Sequence, residues 1–220
     1  DMITDTQSAL GLSMDETTEL VNKMAKTASS SNTSVSQLGE AMLQIGGSAK
    51  KLSGGTTELA TILGILADNG MKGATGGTLL RNMLTSLMSP TKDAKAMMEQ
   101  LNVSLYDSQG NMRTLNDVFM DLREGMNSLA TQAERDQVIT TIFNARDMKA
   151  AEAMIAGVGD RYAELSGKID EAAGAAQAMA GTQLDNLKGD ITLFKSAVES
   201  AQIAISDRLT PSLRNFTQFG

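Results

Sequence analysis

The spacing of apolar residues constrains the fold of this chain more than any other feature, since steps of three and four recur over most of its 220 residues. In residues 35–45, Val, Leu, Met and Ile follow one another at steps of three, four and three, which places them on one face of an α-helix. Ser13 and Glu16 have the spacing of a capping box at the start of another helix. Aromatic residues, which favour strands, make up only 3% of the chain. We therefore predict an all-α fold.

One segment interrupts the helical pattern and predicts a short β-hairpin near residues 103–114. Residues 103–106 alternate between apolar and polar side chains, and residues 107–111 (Asp-Ser-Gln-Gly-Asn) are typical of a turn. Residues 112–114 then resume the extended pattern. Because two strands alone are only marginally stable in water, we expect this hairpin to pack against neighbouring helices.

The most regular apolar spacing lies near the C-terminal end, where it predicts a long helix over residues 176–211. Steps of three and four alternate there for about three heptads, which is the pattern of a coiled-coil seam. The helix would pack either on its own domain or on another chain, and the sequence favours neither. The candidate interaction surface consists of the seam residues Leu184, Leu187, Ile191, Phe194, Val198, Ala201 and Ile205.

The predicted organisation has three parts. Residues 1–175 form a multi-helix domain that includes the short hairpin, residues 176–211 form the long helix, and residues 212–220 begin a following segment. Since Asp1 is not an initiator methionine, we expect the chain to be a piece of a longer protein.

Composition excludes several classes of chemistry. The chain has no His, Cys or Trp, which excludes Ser-His-Asp and Cys-His catalysis, zinc sites made of Cys and His, and disulfides. Its 19 Lys and Arg against 26 Asp and Glu give a formal net charge of −7. Without a dense basic cluster, this charge argues against specific nucleic-acid binding. No apolar run reaches the roughly 18 residues of a membrane span, so we predict no transmembrane segment in this fragment.

Two loops partly match ligand-binding motifs, and neither match is complete. The glycine-rich stretch 70–77 lacks the Gly-Lys-Ser/Thr ending of a phosphate-binding loop and follows a predicted helix rather than a strand. Residues 107–111 resemble the start of an EF-hand loop, but Gly110 would stand at position 4 and Val118 at position 12. We predict helix caps and turns at these places, with no cofactor and no metal site.

Carboxylates form the most suggestive patterns among the groups that remain for catalysis, but we assign no catalytic residue. Asp117, Asp121 and Glu124 share one helical face, where a pair could serve a glycosidase, although such faces are more often solvated. Residues 199–200 (Glu-Ser) resemble part of a lytic transglycosylase site, but they follow residues 42–44 (Met-Leu-Gln), which is the wrong order. A peptidoglycan-degrading domain that uses a carboxylate remains one alternative function.

The order of motifs in this chain resembles the core region of bacteriophage tail tape measure proteins. Residues 59–83 look like that core region. The motifs that follow in the same order are a Pro-Thr turn at 90–91, a Leu-Asn-Val segment at 101–103, an Asp-x-x-Gly-Asn turn at 107–111 and a Leu-Asn-Asp helix start at 115–117.

The resemblance continues to the C-terminal part and covers essentially the whole chain. Residues 142–146 (Ile-Phe-Asn-Ala-Arg) resemble the family's Phe-Gly-x-Arg element, with Asn144 in place of the usual Gly. An Ala-rich segment before Leu184, followed by a long helix leading to Pro211, is also typical of the family.

The resemblance implies a structural, non-enzymatic module that acts in tail assembly and tail-length determination in a phage or prophage. It implies three partners: the tail-tube protein, tail assembly chaperones and other copies of the same protein. It also implies a location in the virion tail after assembly in the cytoplasm of the bacterial host. The resemblance also implies an extended part of the protein whose length sets the length of the tail tube. Because Gly and Pro divide this chain into helices of roughly 10–18 residues, we expect a folded module that flanks or interrupts that extended part. A helical membrane-interacting module is the second alternative.

Overall fold

The computed structural model describes residues 2–182 of the chain. The chain divides into two units, Asp1–Ala176 and Gln177–Gly220. Residues 175–182 are helical, whereas residues 183–220 lie outside the described part. The long helix predicted over residues 176–211, together with the following segment, therefore remains a prediction.

Helices dominate the described residues, and the predicted all-α fold is confirmed. Residues 2–182 contain no β-strand, and one 3₁₀ helix, Gly46–Lys51, separates the third and fourth α-helices. In chain order the α-helices are α1 (Met2–Leu10), α2 (Met14–Ser30), α3 (Val35–Ile45), α4 (Gly55–Asp68), α5 (Gly73–Met88), α6 (Lys92–Gln100), α7 (Leu115–Asn127), α8 (Gln132–Phe143), α9 (Met148–Gly157) and α10 (Asp160–Asp170).

Polar residues begin many of these helices, as the sequence indicates for α2. The predicted capping box is confirmed, because Glu16 N–H donates to the Ser13 hydroxyl at 3.3 Å and Ser13 N–H donates to the Glu16 carboxylate at 2.8 Å. Capping boxes also begin α3 and α8, and the hydroxyls of Thr91 and Thr114 cap α6 and α7. These caps satisfy N–H groups that the first turn of a helix leaves unpaired.

Helix α4 forms the centre of the first unit. Its residues from Glu58 to Ala67 are all buried, and it packs against α2, α5, α9, α10 and the 3₁₀ helix. Because neighbours surround it, α4 is apolar on all sides rather than along one stripe. Gly64 permits the close contact with α10, since a Cβ at this position would lie 2.7 Å from Cδ2 of Leu165.

Helices α3 and α5 cross with their backbones in contact. Gly77 of α5 lies so close to the backbone of Ala41 in α3 that an added Cβ would overlap it. Gly70, at φ +81°, lies in the turn between α4 and α5. The glycine-rich stretch 70–77 therefore forms a turn, a helix start and a helix crossing. The prediction of helix caps and turns accounts for the turn and the helix start, but it does not account for the helix crossing.

The β-hairpin predicted near residues 103–114 is wrong. This segment forms one isolated antiparallel bridge, between Tyr106 and Met112, and no strand. The turn itself is well defined, since the Asp107 carboxylate accepts a hydrogen bond from the N–H of Asn111 at 2.8 Å.

The flanking helices explain why no ladder of strands forms in this segment. Val103 N–H donates to the carbonyl oxygen of Met98 at 2.8 Å, so it completes the end of α6. At the other end, Thr114 caps α7. Between them, the Ser104 hydroxyl donates to the carbonyl oxygen of Tyr106 at 2.7 Å. Two backbone bonds still join the two sides of the segment, from Asp107 N–H to the Asn111 carbonyl oxygen and from Arg113 N–H to the Leu105 carbonyl oxygen, each at 2.9 Å. The pairing goes no further because Leu115 N–H donates to the Glu58 carboxylate instead.

Candidate functional site

The heptad seam predicted as an interaction surface lies outside the described residues, so it remains a prediction. Its members are Leu184, Leu187, Ile191, Phe194, Val198, Ala201 and Ile205. Within residues 2–182, polar groups from two parts of the chain converge on a cleft between α5 and the loop that joins α8 to α9.

This cleft, named the polar cleft from here on, is open and has a volume of about 610 Å³. The second half of α5 forms one side, and the α8–α9 loop forms the other. Ala145 is the one lining residue with an apolar side chain. The full lining consists of Asn82, Thr85, Ser86, Asn144, Ala145, Arg146 and Asp147.

Phe143 anchors the loop side of the polar cleft. Its side chain is fully buried, and its ring stacks on that of Phe119 in α7 with the centroids 5.4 Å apart and the planes 6° from parallel. Stacked aromatic pairs stabilise a contact beyond the effect of their buried area. The end of α8 is thereby fixed on α7, and the loop turns toward α5 from a defined position.

Asn144 ends α8 in a conformation that glycine adopts most easily. Its φ is +68° and its ψ is 164°, a region of backbone space that is strained for residues with a Cβ. Its side chain compensates, since Oδ1 accepts from the N–H of Arg146 at 2.9 Å and Nδ2 donates to Asp147 at 2.9 Å. A glycine at this position, as in the Phe-Gly-x-Arg element, would need no such compensation.

Asp147 forms the floor of the polar cleft, with 2% of its surface exposed. Its Oδ1 accepts a hydrogen bond from Nδ2 of Asn82 at 3.1 Å, and its Oδ2 accepts one from Nδ2 of Asn144 at 2.9 Å. It directly precedes α9, and the N-terminal end of a helix favours a negative charge. No Lys or Arg among the described residues forms an ion pair with it. Two neutral amide donors therefore hold this carboxylate, which makes no capping hydrogen bond to the backbone of α9.

Arg146 lies at the rim of the polar cleft. It is exposed, and its guanidinium group makes no hydrogen bond or ion pair within residues 2–182. The hydroxyl of Ser86, which is half-buried, likewise has no partner among the described residues. The polar cleft thus has a carboxylate at its floor and a cation at its rim, and some of its polar groups have no hydrogen-bond partner among the described residues.

A second buried carboxylate, that of Glu58 in α4, is enclosed in the core. Only 1% of the residue is exposed, and its oxygens accept hydrogen bonds from the N–H of Gly54 at 2.7 Å and from that of Leu115 at 2.5 Å. Burial raises the pKa of Glu58 above its ordinary value, the two backbone donors oppose that rise, and the nearby Asp117 adds to it. Glu58 joins the first turns of α4 and α7, which is a structural role.

The carboxylates that the sequence singled out do not converge on a catalytic cleft in the described residues. Asp121 forms an ion pair with Arg113 at 2.6 Å, and Glu124 is exposed. Neither they nor Asp117 line the polar cleft. Residues 199–200 lie outside the described part.

Three polar groups that are prominent in the structure were not predicted from the sequence: Asn82, Asp147 and Glu58. One signal was available for the polar cleft, since Asn144 stands in place of the glycine of the Phe-Gly-x-Arg element. No pattern separates Asn82 from an ordinary solvated position of α5, because its partner is 65 residues away in sequence.

No group of three or more Asp and Glu side chains among residues 2–182 could hold a metal ion. Over the same range, no helix combines the length and the apolar character that are needed to cross a lipid bilayer.

Comparison with known proteins gives consistent similarities. The model of the phage-related minor tail protein family matches residues 1–144. The tape measure protein of Pneumococcus phage Dp-1 is 31% identical over 205 residues, which cover 93% of this chain and 18% of that protein. The probable tape measure protein of Escherichia phage P2 is 27% identical over 221 aligned residues, which cover 96% of this chain and 26% of that protein.

These similarities confirm the resemblance to tape measure proteins that the sequence motifs indicated. The chain spans about a quarter or less of the length of either relative. No solved structure is significantly similar to it.

Proposed function

Since this chain belongs to the phage-related minor tail protein family, we propose that it is a structural module of a phage or prophage tape measure protein. The module acts in tail assembly and tail-length determination through contacts between helices. The observation that carries this proposal is the similarity of 93% and 96% of the chain to two proteins named as tape measure proteins. Because the chain corresponds to only 18% and 26% of those relatives, its role is that of one module in a longer protein.

The proposed location is the virion tail, which the protein reaches after assembly in the cytoplasm of the bacterial host. The proposed partners are the tail-tube protein, tail assembly chaperones and other copies of the same protein. We propose no enzymatic activity and no specific nucleic-acid binding. The net charge of −7 supports the latter, because a negative chain is repelled by the phosphate backbone.

Deletion of the folded module tests this function in a phage that encodes the chain. Removal of residues 2–176 in frame should give tails that are missing or irregular in length when virions are measured by negative-stain electron microscopy. A phage with the Gly167→Ala substitution is the control, because a Cβ at Gly167 meets no neighbouring atom. Tails of normal number and length after the deletion would contradict the proposal, and a defect confined to cell-wall penetration would favour the enzymatic alternative.

The heptad seam is the surface through which we propose that copies of this chain associate. Support comes from its regular spacing, since apolar residues at two positions of each heptad form the contact of a coiled coil. The double substitution Ile191→Asp and Val198→Asp places two charges in the seam and should convert an oligomer into a monomer in light scattering. The matched control, Thr192→Asp with Ser196→Asp, adds the same charges outside the seam and should leave the mass unchanged. Equal masses for both variants would contradict the proposal.

A further inference from the structure

We propose that the polar cleft binds the guanidinium group of an arginine side chain of a partner protein, with the Asp147 carboxylate as its counter-ion. The choice of a protein partner rests on the proposed function as an assembly module. The chemistry of the cleft is independent of that function, since it follows from the groups that line it.

The unused hydrogen-bonding capacity of Asp147 is the first argument. A carboxylate has acceptor sites for about four hydrogen bonds, and Asp147 receives two from side chains, one from Asn82 and one from Asn144. Both donors are neutral, and no described Lys or Arg pairs with the carboxylate. Buried carboxylates in proteins are commonly paired with cations. A cation that enters the polar cleft would complete the environment of Asp147.

The remaining polar groups favour guanidinium over other cations. Oδ1 of Asn82 and the hydroxyl oxygen of Ser86 receive no hydrogen bond from residues 2–182. The hydroxyl of Thr85 donates to the carbonyl oxygen of Arg81 at 2.8 Å, which leaves its oxygen able to accept. The cleft therefore offers acceptors at several points along one wall. Guanidinium has five donors in a planar fork and no acceptor, whereas an ammonium group is a compact and strongly hydrated point charge.

Arg146 provides a test of whether the polar cleft binds a cation or an anion. It stands at the exposed rim, so an incoming cation experiences a repulsion that solvent weakens. If the polar cleft instead took an anion, Arg146 would be the group that attracts it. Removal of this one charge must therefore strengthen the binding of a cation and weaken the binding of an anion.

The experiment is an NMR titration of the 220-residue chain with ethylguanidinium, which carries the head group of arginine without its backbone charges. Millimolar concentrations suffice and lie far below those at which guanidinium salts unfold proteins. We expect a saturable shift of the side-chain amide resonances of Asn82 and Asn144. Ethylammonium should give a weaker response, because it cannot use several acceptors at once.

Two variants and one control decide the outcome. Asp147→Asn should weaken ethylguanidinium binding at least about tenfold, because hydrogen bonds to a charged group are lost. Arg146→Gln should strengthen it about two- to fivefold, the range expected for an exposed charge, and this variant breaks no side-chain hydrogen bond or ion pair of the described residues. Asp160→Asn, which removes a charge at the exposed start of α10, should change nothing.

Several results would overturn the proposal. These are a shift that does not saturate, binding that survives Asp147→Asn, or binding of acetate that Arg146→Gln abolishes. If Asp147→Asn fails to fold, the direction of the Arg146→Gln effect still decides between cation and anion. A negative titration would leave the proposed tail function standing, since that function is tested by tail length.

Discussion

The two halves of α5 differ in how closely they approach the rest of the molecule. In the first half, Gly77 brings the backbone of α5 against that of α3. In the second half, Asn82, Thr85 and Ser86 face an open cleft instead of a helix. The first half of α5 therefore touches α3 backbone to backbone, whereas the second half buries Met83, Leu84 and Leu87 on one side and presents polar groups to a cleft on the other. Substitutions in the two halves should differ accordingly in their effect on the free energy of unfolding.

The largest effect is expected at the crossing of α3 and α5. Gly77→Ala places a Cβ where the backbone of Ala41 lies, and two helical backbones cannot move apart without disturbing the core around them. We expect a loss of about 3 kcal/mol in the free energy of unfolding, as for overpacked interiors. Urea denaturation followed by circular dichroism measures it.

Gly167→Ala is the matched control for that substitution. Gly167 lies inside α10 and is exposed, and an added Cβ would have no atom within 4 Å beyond its chain neighbours and the backbone of its own helix. Alanine should stabilise the chain there by about 0.5–1 kcal/mol, because it restricts the unfolded backbone and favours a helix. Equal effects at Gly77 and Gly167 would show that the helix crossing is looser than the structure indicates.

A smaller effect is expected when the floor of the polar cleft is removed. Asp147→Ala leaves Nδ2 of Asn82 and of Asn144 without their acceptor and removes a negative charge from the start of α9. Because water can enter the open cleft and replace the acceptor, we expect a loss of about 1–2 kcal/mol. The same denaturation assay measures it, and a loss as large as that for Gly77→Ala would mean that the cleft is closed in solution.

The strain at Asn144 can be isolated by comparing two substitutions. Asn144→Ala and Asn144→Gly both remove the side-chain hydrogen bonds to Asp147 and Arg146, but only glycine relieves a φ of +68°. The glycine variant should therefore be more stable than the alanine variant by about 1 kcal/mol. Thermal unfolding of the two variants side by side checks the difference, and equal melting temperatures would argue that the loop relaxes.

The smallest effect is expected at Ser86. Its hydroxyl has no partner within residues 2–182, so Ser86→Ala removes no bond of the fold. The free energy of unfolding should stay within about 0.5 kcal/mol of the parent value. A loss above that range, measured by urea denaturation, would place Ser86 among the residues that stabilise α5 and would weaken the contrast between its halves.

Local sequence patterns predicted the helices but not the contacts between them. The apolar spacing of residues 35–45 and the Ser13–Glu16 capping box depend on neighbours within one or two turns, so both were visible in the sequence. The hairpin prediction was wrong because the alternation at residues 103–106 resembles a strand, while Val103 is bound by the end of the preceding helix. Short alternating runs do not show where the flanking helices end.

The polar cleft could not be predicted because its parts are distant in the sequence. Asn82 and Asp147 meet only when α5 packs beside the α8–α9 loop. The same holds for Gly77. Only a residue without a Cβ fits at this position, because α3 crosses α5 there, and the sequence does not show where the two helices cross. Asn144 is a partial exception, since its replacement of a glycine in the Phe-Gly-x-Arg element was visible in the sequence, although its positive φ was not predicted.

The carboxylate of Glu58 has a consequence for how the chain folds. It receives hydrogen bonds from the start of its own helix and from Leu115, which is 57 residues further along the chain. The beginning of α4 is therefore incomplete until α7 has docked, and the intervening chain is closed into a loop at that moment. Helices α4 and α7 should form and open as one cooperative unit. In native-state hydrogen exchange, the amides of Gly54 and Leu115 should then become accessible to deuterium in the same opening event.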